Sequence, residues 1–246
     1  MLLVGGKSIQ MLCKIADLIT EVPEAGGLAS RCEEYFFSGE KRADVIIRPE
    51  LYRKKHYRVE LSENNLAYME SAYQFYVELV RFGGIYLHSS AVSLDNKAYL
   101  FSGPSGMGKS THTKLWQATF GGAAQVFNDD KPAMRRLNGV WYAYGTPWCG
   151  KDGINQNRKV PLAGICFLKQ ASENRIRCLT QQEAMKKILT QTIFRFQEVE
   201  LLDQMLETLD KLVREIPVFE LENRPEPEAA HLSYETMRRA AEELGL

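Results

Sequence analysis

The sequence has no excess charge of either sign. Lys plus Arg number 31 and Asp plus Glu number 31, for a net charge of zero. The total therefore gives no reason to expect a polyanion partner, and nucleic acid is not expected. There is no long apolar run. The opening Met1-Leu2-Leu3-Val4 is far too short for a secretory core or a membrane span, so no membrane association is expected and a cytoplasmic location is. There is no C-x-x-C pair. Cys13, Cys32, Cys149, Cys166 and Cys178 make an odd number, which reads as reduced thiols and argues against a disulfide framework or a zinc site. Internal repeats and low-complexity tracts are also missing.

What is present is a globular composition: 45% hydrophobic and 25% charged residues over 246 positions, enough for one large domain. The expectation is a single α/β domain over residues 1–246, with 1–84 as an N-terminal lobe and 85–246 as the core. Residues 14–22 and 44–48 read as short strands. Residues 63–82 carry apolar side chains at 66, 69, 73, 76, 77 and 80, near helical period, and end at Gly83-Gly84. Residues 85–94 read as one strand, turned by Asp95-Asn96 into a second at 97–102. Strands are also expected at 123–127, 133–137, 140–144, 160–168, 175–179 and 216–221. Helices are expected at 110–119, 181–196, 199–214 and 227–244. The 85–102 hairpin implies a mixed, partly antiparallel sheet.

The strongest chemical signal is Gly103-Pro104-Ser105-Gly106-Met107-Gly108-Lys109-Ser110, which fits G-x-x-x-x-G-K-[ST], the phosphate-binding loop. It lies between an expected strand and an expected helix, as that loop requires. The glycines let the backbone turn its N–H groups on phosphate oxygens. Lys109 sets a charge beside the β- and γ-phosphates, Ser110 is a Mg²⁺ ligand, and the helix aims its positive end at the anion. A weaker echo at Gly5-Gly6-Lys7-Ser8 lacks the first glycine and is set aside.

The second signal is Asp129-Asp130, at the end of the 123–127 strand and about twenty residues after Lys109. Adjacent carboxylates there can divide metal holding from proton acceptance; the alternative is a solvated Asn-Asp-Asp turn. His88 shares a strand face with Ser90 and Val92 by alternation, and reads either as a structural histidine or as one at the mouth of the site. Residues 145–158, rich in turns and carrying Lys151, Asn155, Asn157 and Arg158, form the candidate specificity element. Lys151 and Arg195 carry open roles. Trp116 reads as core, and Trp148 as a plug or an acceptor flank.

Leu87-His88-Ser89-Ser90-Ala91-Val92, the 103–110 loop and Asn128-Asp129-Asp130 together resemble the catalytic domain of HPr kinase/phosphorylase. That family shares its nucleotide-binding core with phosphoenolpyruvate carboxykinase. The stretches 144–150 and 160–165 look like its short bacterial relatives, some of which phosphorylate serine on peptides. The resemblance implies an α/β P-loop core with a mixed sheet, and an ATP- and Mg²⁺-dependent kinase acting on a hydroxyl acceptor: a peptide, a protein or a metabolite. It implies that Gly103, Pro104, Ser105, Gly106, Met107, Gly108, Lys109, Ser110 and Thr111 bind the nucleotide. Asp129 would be the base, Asp130 and Ser110 would be metal-linked, and His88 would support Asp129. There is no room for the separate regulatory domain of the full-length enzymes, and the stretch tied to their phosphorylase reaction is not found. Two other readings stand beside the kinase: a non-catalytic nucleotide-binding module, and carboxykinase chemistry, which needs more metal ligands than this chain offers. A homo-oligomer is left open.

Overall fold

A computed structural model describes residues 10–23, 28–51, 61–192 and 198–246. The glycine echo at 5–8 and Arg195 lie outside the described residues. The chain begins with strands β1 (Gln10–Ile15) and β2 (Leu18–Pro23), a short helix α1 (Leu28–Arg31) and strand β3 (Val45–Ile46). β1 and β2 are antiparallel and β3 joins β2 in parallel. The single strand expected over residues 14–22 is thus corrected to a hairpin. Its turn, Ala16-Asp17, holds both residues at φ of 49° and 62° without a glycine. Tertiary bonds compensate for that left-handed backbone. Arg135 Nη1 donates to the Ala16 carbonyl at 2.6 Å, and Tyr144 and Lys159 both donate to the Asp17 carboxylate.

Helix α2 (Glu63–Arg81) starts where the Ser62 hydroxyl accepts from the Asn65 amide. It stops at Gly83, whose φ of 65° suits glycine. Its buried stripe runs through Leu66, Ala72, Phe75, Tyr76, Leu79 and Val80, while Met69 is 40% exposed, so the inward face is rotated from the expected one.

Residues 85–94 are two strands, β4 (Gly84–Tyr86) and β5 (Ser89–Leu94), broken at Leu87-His88. β5 turns through Asp95-Asn96, at φ of 50° and 58°, into β6 (Lys97–Ser102), as expected. Then follow α3 (Lys109–Phe120), β7 (Gln125–Asp130), β8 (Ala133–Leu137), β9 (Val140–Tyr144), β10 (Lys159–Gln170), β11 (Arg175–Cys178), α4 (Gln181–Leu189), α5 (Val199–Glu215), β12 (Val218–Asn223) and α6 (Pro227–Glu243). The helix expected over residues 181–196 ends at Leu189. Asn128, Asp129 and Asp130 lie within β7, not in a turn beyond it.

Nine of these strands form one mixed sheet along the path β4-β8-β9-β10-β6-β5-β7, with β12 beside β10 and β11 beside β12. The twelve-residue β10 knits it together. Its first residues pair antiparallel with β9, and its remainder runs parallel to both β6 and β12. One apolar core lies under α4 and α5, and another joins β6 and β10 to α3 and α6. A third combines Cys13, Ile15 and Val22 with Phe75, Tyr144 and Trp148, so the first strands share their core with residues far along the chain. Among the described residues no helix is long and apolar enough to cross a membrane.

Candidate active site

The 103–108 loop joins β6 to α3. Gly106 and Gly108 take φ of 82° and 94°, conformations that side chains rarely adopt. Lys109 opens α3 and folds back. Its Nζ donates to the loop's own carbonyls, Gly103 at 2.9 Å and Pro104 at 3.3 Å. Burial lowers the Lys109 pKa, with Asp130 and Asp129 acting in opposition. Beneath the loop, α3 is pinned to the sheet by Ser90 Oγ against Thr113 Oγ1 at 2.8 Å. Behind it, His112 and Trp116 meet Ser233 of α6. Trp116 is fully buried, as expected of a core residue.

β7 lies antiparallel to β5, with Asp129 opposite Ser90 and Asp130 opposite Ser89. Alternation sends the two carboxylates different ways. Asp129 accepts from Ser110 Oγ at 3.0 Å and is 7% exposed. Asp130 sits at φ of 136°, a strained backbone costing roughly 1–3 kcal/mol. Its Oδ1 lies 3.2 Å from His88 Nε2, and its Oδ2 accepts from Lys131 Nζ and, at 3.3 Å, from the Tyr68 hydroxyl. Burial pushes the Asp130 pKa up, but the hydrogen bond from His88 and the charge and hydrogen bond of Lys131 outweigh it. They hold the carboxyl well below the usual range.

The expected partnership of His88 with Asp129 is therefore corrected: His88 pairs with Asp130. The β4–β5 break takes His88 off the strand alternation that would have set it with Ser90 and Val92. Sequence reasoning also passed over Tyr68 and Lys131. Neither lies in a motif that would single it out. Only the fold brings them to one carboxylate.

Two clefts meet at Asp130. One, of about 550 Å³, is lined by His88, Ser105, Lys109, Ser110, Asp129 and Asp130. Gly106, Gly108 and Thr111 also border it, while Gly103, Pro104 and Met107 do not. Gly103 and Met107 instead support the loop from within. The second cleft, of about 500 Å³, opens on the other side, against Arg31, Asn64, Tyr68 and Cys149. Asp130, Gly150 and Lys151 belong to both.

Residues 145–158 form no free loop. Trp148 is buried against Phe75, at 4.8 Å between ring centroids, and donates to Ser71. Asn128 Nδ2 donates to the Thr146 carbonyl, and the Asp129 amide to that of Ile154. Asn155 and Asn157 donate to the Arg31 and Glu34 carbonyls, and Arg158 bonds Gln125. Of this stretch, Cys149, Gly150, Lys151 and Asp152 border the two clefts. Asp152 is held by Lys114 at 2.6 Å.

The fold and site define an α/β protein with a mixed sheet and a glycine loop between strand and helix, facing a divided pair of aspartates. A search of curated proteins finds no match. The family model described as "SynChlorMet cassette protein ScmC" matches residues 58–224, and the chain belongs to that family. Among solved structures, one similar to it is the HPr(Ser) kinase/phosphatase from Coxiella burnetii. It shows 14% identity and a TM-score of 0.35 over 63% of this chain and 88% of that one. A likeness of that size says nothing of chemistry.

Proposed function

We propose that the chain is an ATP- and Mg²⁺-dependent phosphotransferase that moves the γ-phosphate to a hydroxyl acceptor. The observation that carries this reading is the position of Asp129 and Asp130. The first turns to the glycine loop's serine, and the second stands where the two clefts join. One cleft suits a nucleotide and the other an acceptor.

The residues fit the groups they would hold. Lys109 rests on neutral carbonyls and has a compact charge to offer a phosphate. Ser110 Oγ and Asp129 Oδ1 lie 3.0 Å apart. Two neighbouring ligands of an octahedral cation with bonds of about 2.0–2.1 Å stand about 2.9 Å apart. Ser110 and Asp129, and not Asp130, are thus the proposed Mg²⁺ residues, with phosphate oxygens and water completing the shell. When bound, the cation would neutralise charge on the β- and γ-phosphates.

Asp130 takes the place of Asp129 as the proton acceptor. Its low pKa makes it a weak base. That suffices where the hydroxyl proton leaves late, and orientation then matters more than basicity. His88 and Lys131 fix its two oxygens. Nucleotide chemistry of this kind and five free thiols suit a cytoplasmic setting.

The test is nucleotide-dependent stabilisation and transfer from labelled ATP. At ligand a hundredfold above Kd, wild type gains about 2.7 kcal/mol, a shift of several degrees in Tm. Lys109→Ala keeps the unliganded Tm within a degree or so and loses that gain. A wild-type Tm indifferent to millimolar ATP–Mg²⁺ defeats the reading.

A further inference from the structure

The second cleft carries charge that the nucleotide reading leaves unused. Arg31 ends α1 at its wall. Its Nη1 donates only to neutral atoms, the Cys149 carbonyl and sulfur, both at 3.3 Å. The guanidinium lies 4.9 Å from the Tyr68 ring centroid. No carboxylate pairs with it among the described residues, although most arginines here have one. Its Nε and Nη2 meet no protein acceptor among those residues. A stacked, half-buried guanidinium with free donors is built for two-pronged recognition of an oxyanion.

Three further groups face the same space. Lys151 is exposed and forms no ion pair among the described residues, and the side-chain amides of Asn64 and Asn65 meet no partner there. The other cation nearby, Lys131, is committed to Asp130. The nearby Glu34 turns elsewhere: its carboxylate accepts from the Asn157 amide.

The spacing is also informative. The Cys149 carbonyl accepts from Arg31 on one side and from the Tyr68 hydroxyl, at 2.8 Å, on the other; that hydroxyl reaches Asp130. A single carbonyl and a single hydroxyl therefore separate the guanidinium from the carboxylate. A ligand spanning them needs only a few bonds between its anion and its hydroxyl.

We infer that the second cleft is an acceptor subsite for a hydroxyl compound bearing a nearby carboxylate or phosphate, gripped by Arg31 and Lys151 while its hydroxyl faces Asp130. The inference rests on the kinase reading above and names its acceptor class. In the transfer, the acceptor oxygen forms the new bond to the γ-phosphorus. The bond from that phosphorus to the bridging oxygen breaks, its electron pair leaves with ADP, and the hydroxyl proton passes to Asp130.

Glycerate, glycerol 3-phosphate and neutral glycerol make a matched set. N-acetylserine and its amide make a second pair. Each is titrated into the full chain holding a non-hydrolysable ATP analogue and Mg²⁺, and each is offered as an acceptor with labelled ATP. At least one anionic probe binds tenfold or more tighter than its neutral match; which one does so separates a carboxylate from a phosphate. Arg31→Gln brings that ratio within about twofold of unity, leaving the affinity for the ATP analogue and for the neutral probes unchanged. Arg31→Lys restores part of the ratio, which a merely structural role for the side chain would not do. Anionic probes that bind no better than neutral ones, or a preference that survives in Arg31→Gln, overturn the inference even where ATP binds. Failure of wild type to bind the ATP analogue overturns the kinase reading instead.

Discussion

His112 makes the helix that carries Lys109 and Ser110 sensitive to acid. It is 2% exposed and lies on the inner face of α3. Its Nε2 is 3.1 Å from Ser233 Oγ, which also accepts from Trp116 Nε1 and donates to the Ala230 carbonyl. Trp116 Nε1, which can only donate, also reaches Nε2 at 3.3 Å, so these contacts suit a neutral ring. Nδ1 is buried and has no partner. The charged ring would carry a proton on both nitrogens, leaving a buried Nδ1–H with nothing to accept its hydrogen bond, and burial pushes the pKa down to about 3.

In the unfolded chain the same ring titrates near 6.5. Between about 3 and 6.5 the unfolded state binds more protons, so stability falls as pH falls through that window. Integrating the two titrations from pH 7 to pH 5 gives a loss of about 2 kcal/mol from this residue. Against a total of roughly 5–15 kcal/mol that is a large share. Urea unfolding of wild type and His112→Gln at the two pH values isolates it, since the carboxylates contribute equally to both proteins. Glutamine keeps an N–H near Ser233 and has no titration in this range. The variant starts less stable at pH 7, but its loss on acidification is smaller by about 2 kcal/mol. Equal losses in the two proteins refute the argument, and with it the neutral buried ring.

The other expectations concern the site and the turn that shapes it. Asp129→Asn raises the Mg²⁺ concentration needed for nucleotide stabilisation, while Asp130→Asn spares nucleotide affinity and cuts transfer by about 10²–10⁴-fold; titrating Mg²⁺ and measuring single-turnover rates on both variants checks this, and the reverse pattern returns the base to Asp129. His88→Ala removes a hydrogen bond that lowers the Asp130 pKa, so the acidic limb of the pH–rate profile moves to higher pH; an unmoved limb makes His88 structural only. Gly145→Ala sets a Cβ 1.8 Å from the Gln156 carbonyl oxygen and destabilises the fold by more than about 4 kcal/mol in denaturant unfolding, because backbone must move to make room.

The elements legible in the sequence were those coded by neighbours along the chain. The β5–β6 and β8–β9 hairpins announce themselves in Asp95-Asn96 and Asn138-Gly139, whose residues tolerate the left-handed backbone the turns use. The glycine loop is local too: its spacing, its lysine and its serine lie within eight residues. By contrast the Ala16-Asp17 turn has no such chemistry of its own and depends on Arg135, Tyr144 and Lys159, more than a hundred residues away. The division between Asp129 and Asp130 was equally out of reach. Two adjacent aspartates are interchangeable in a sequence; strand alternation and the break at Leu87-His88 decide which meets Ser110 and which meets His88. Tyr68, Lys131 and Arg31 come from three separate segments with no pattern linking them. The sequence could name the groups of the glycine loop, because eight consecutive residues contain them. What stands on the other side of Asp130 was settled by packing α1, α2 and the Cys149 segment against the end of β7, since contacts across such distances leave no periodic trace in the chain.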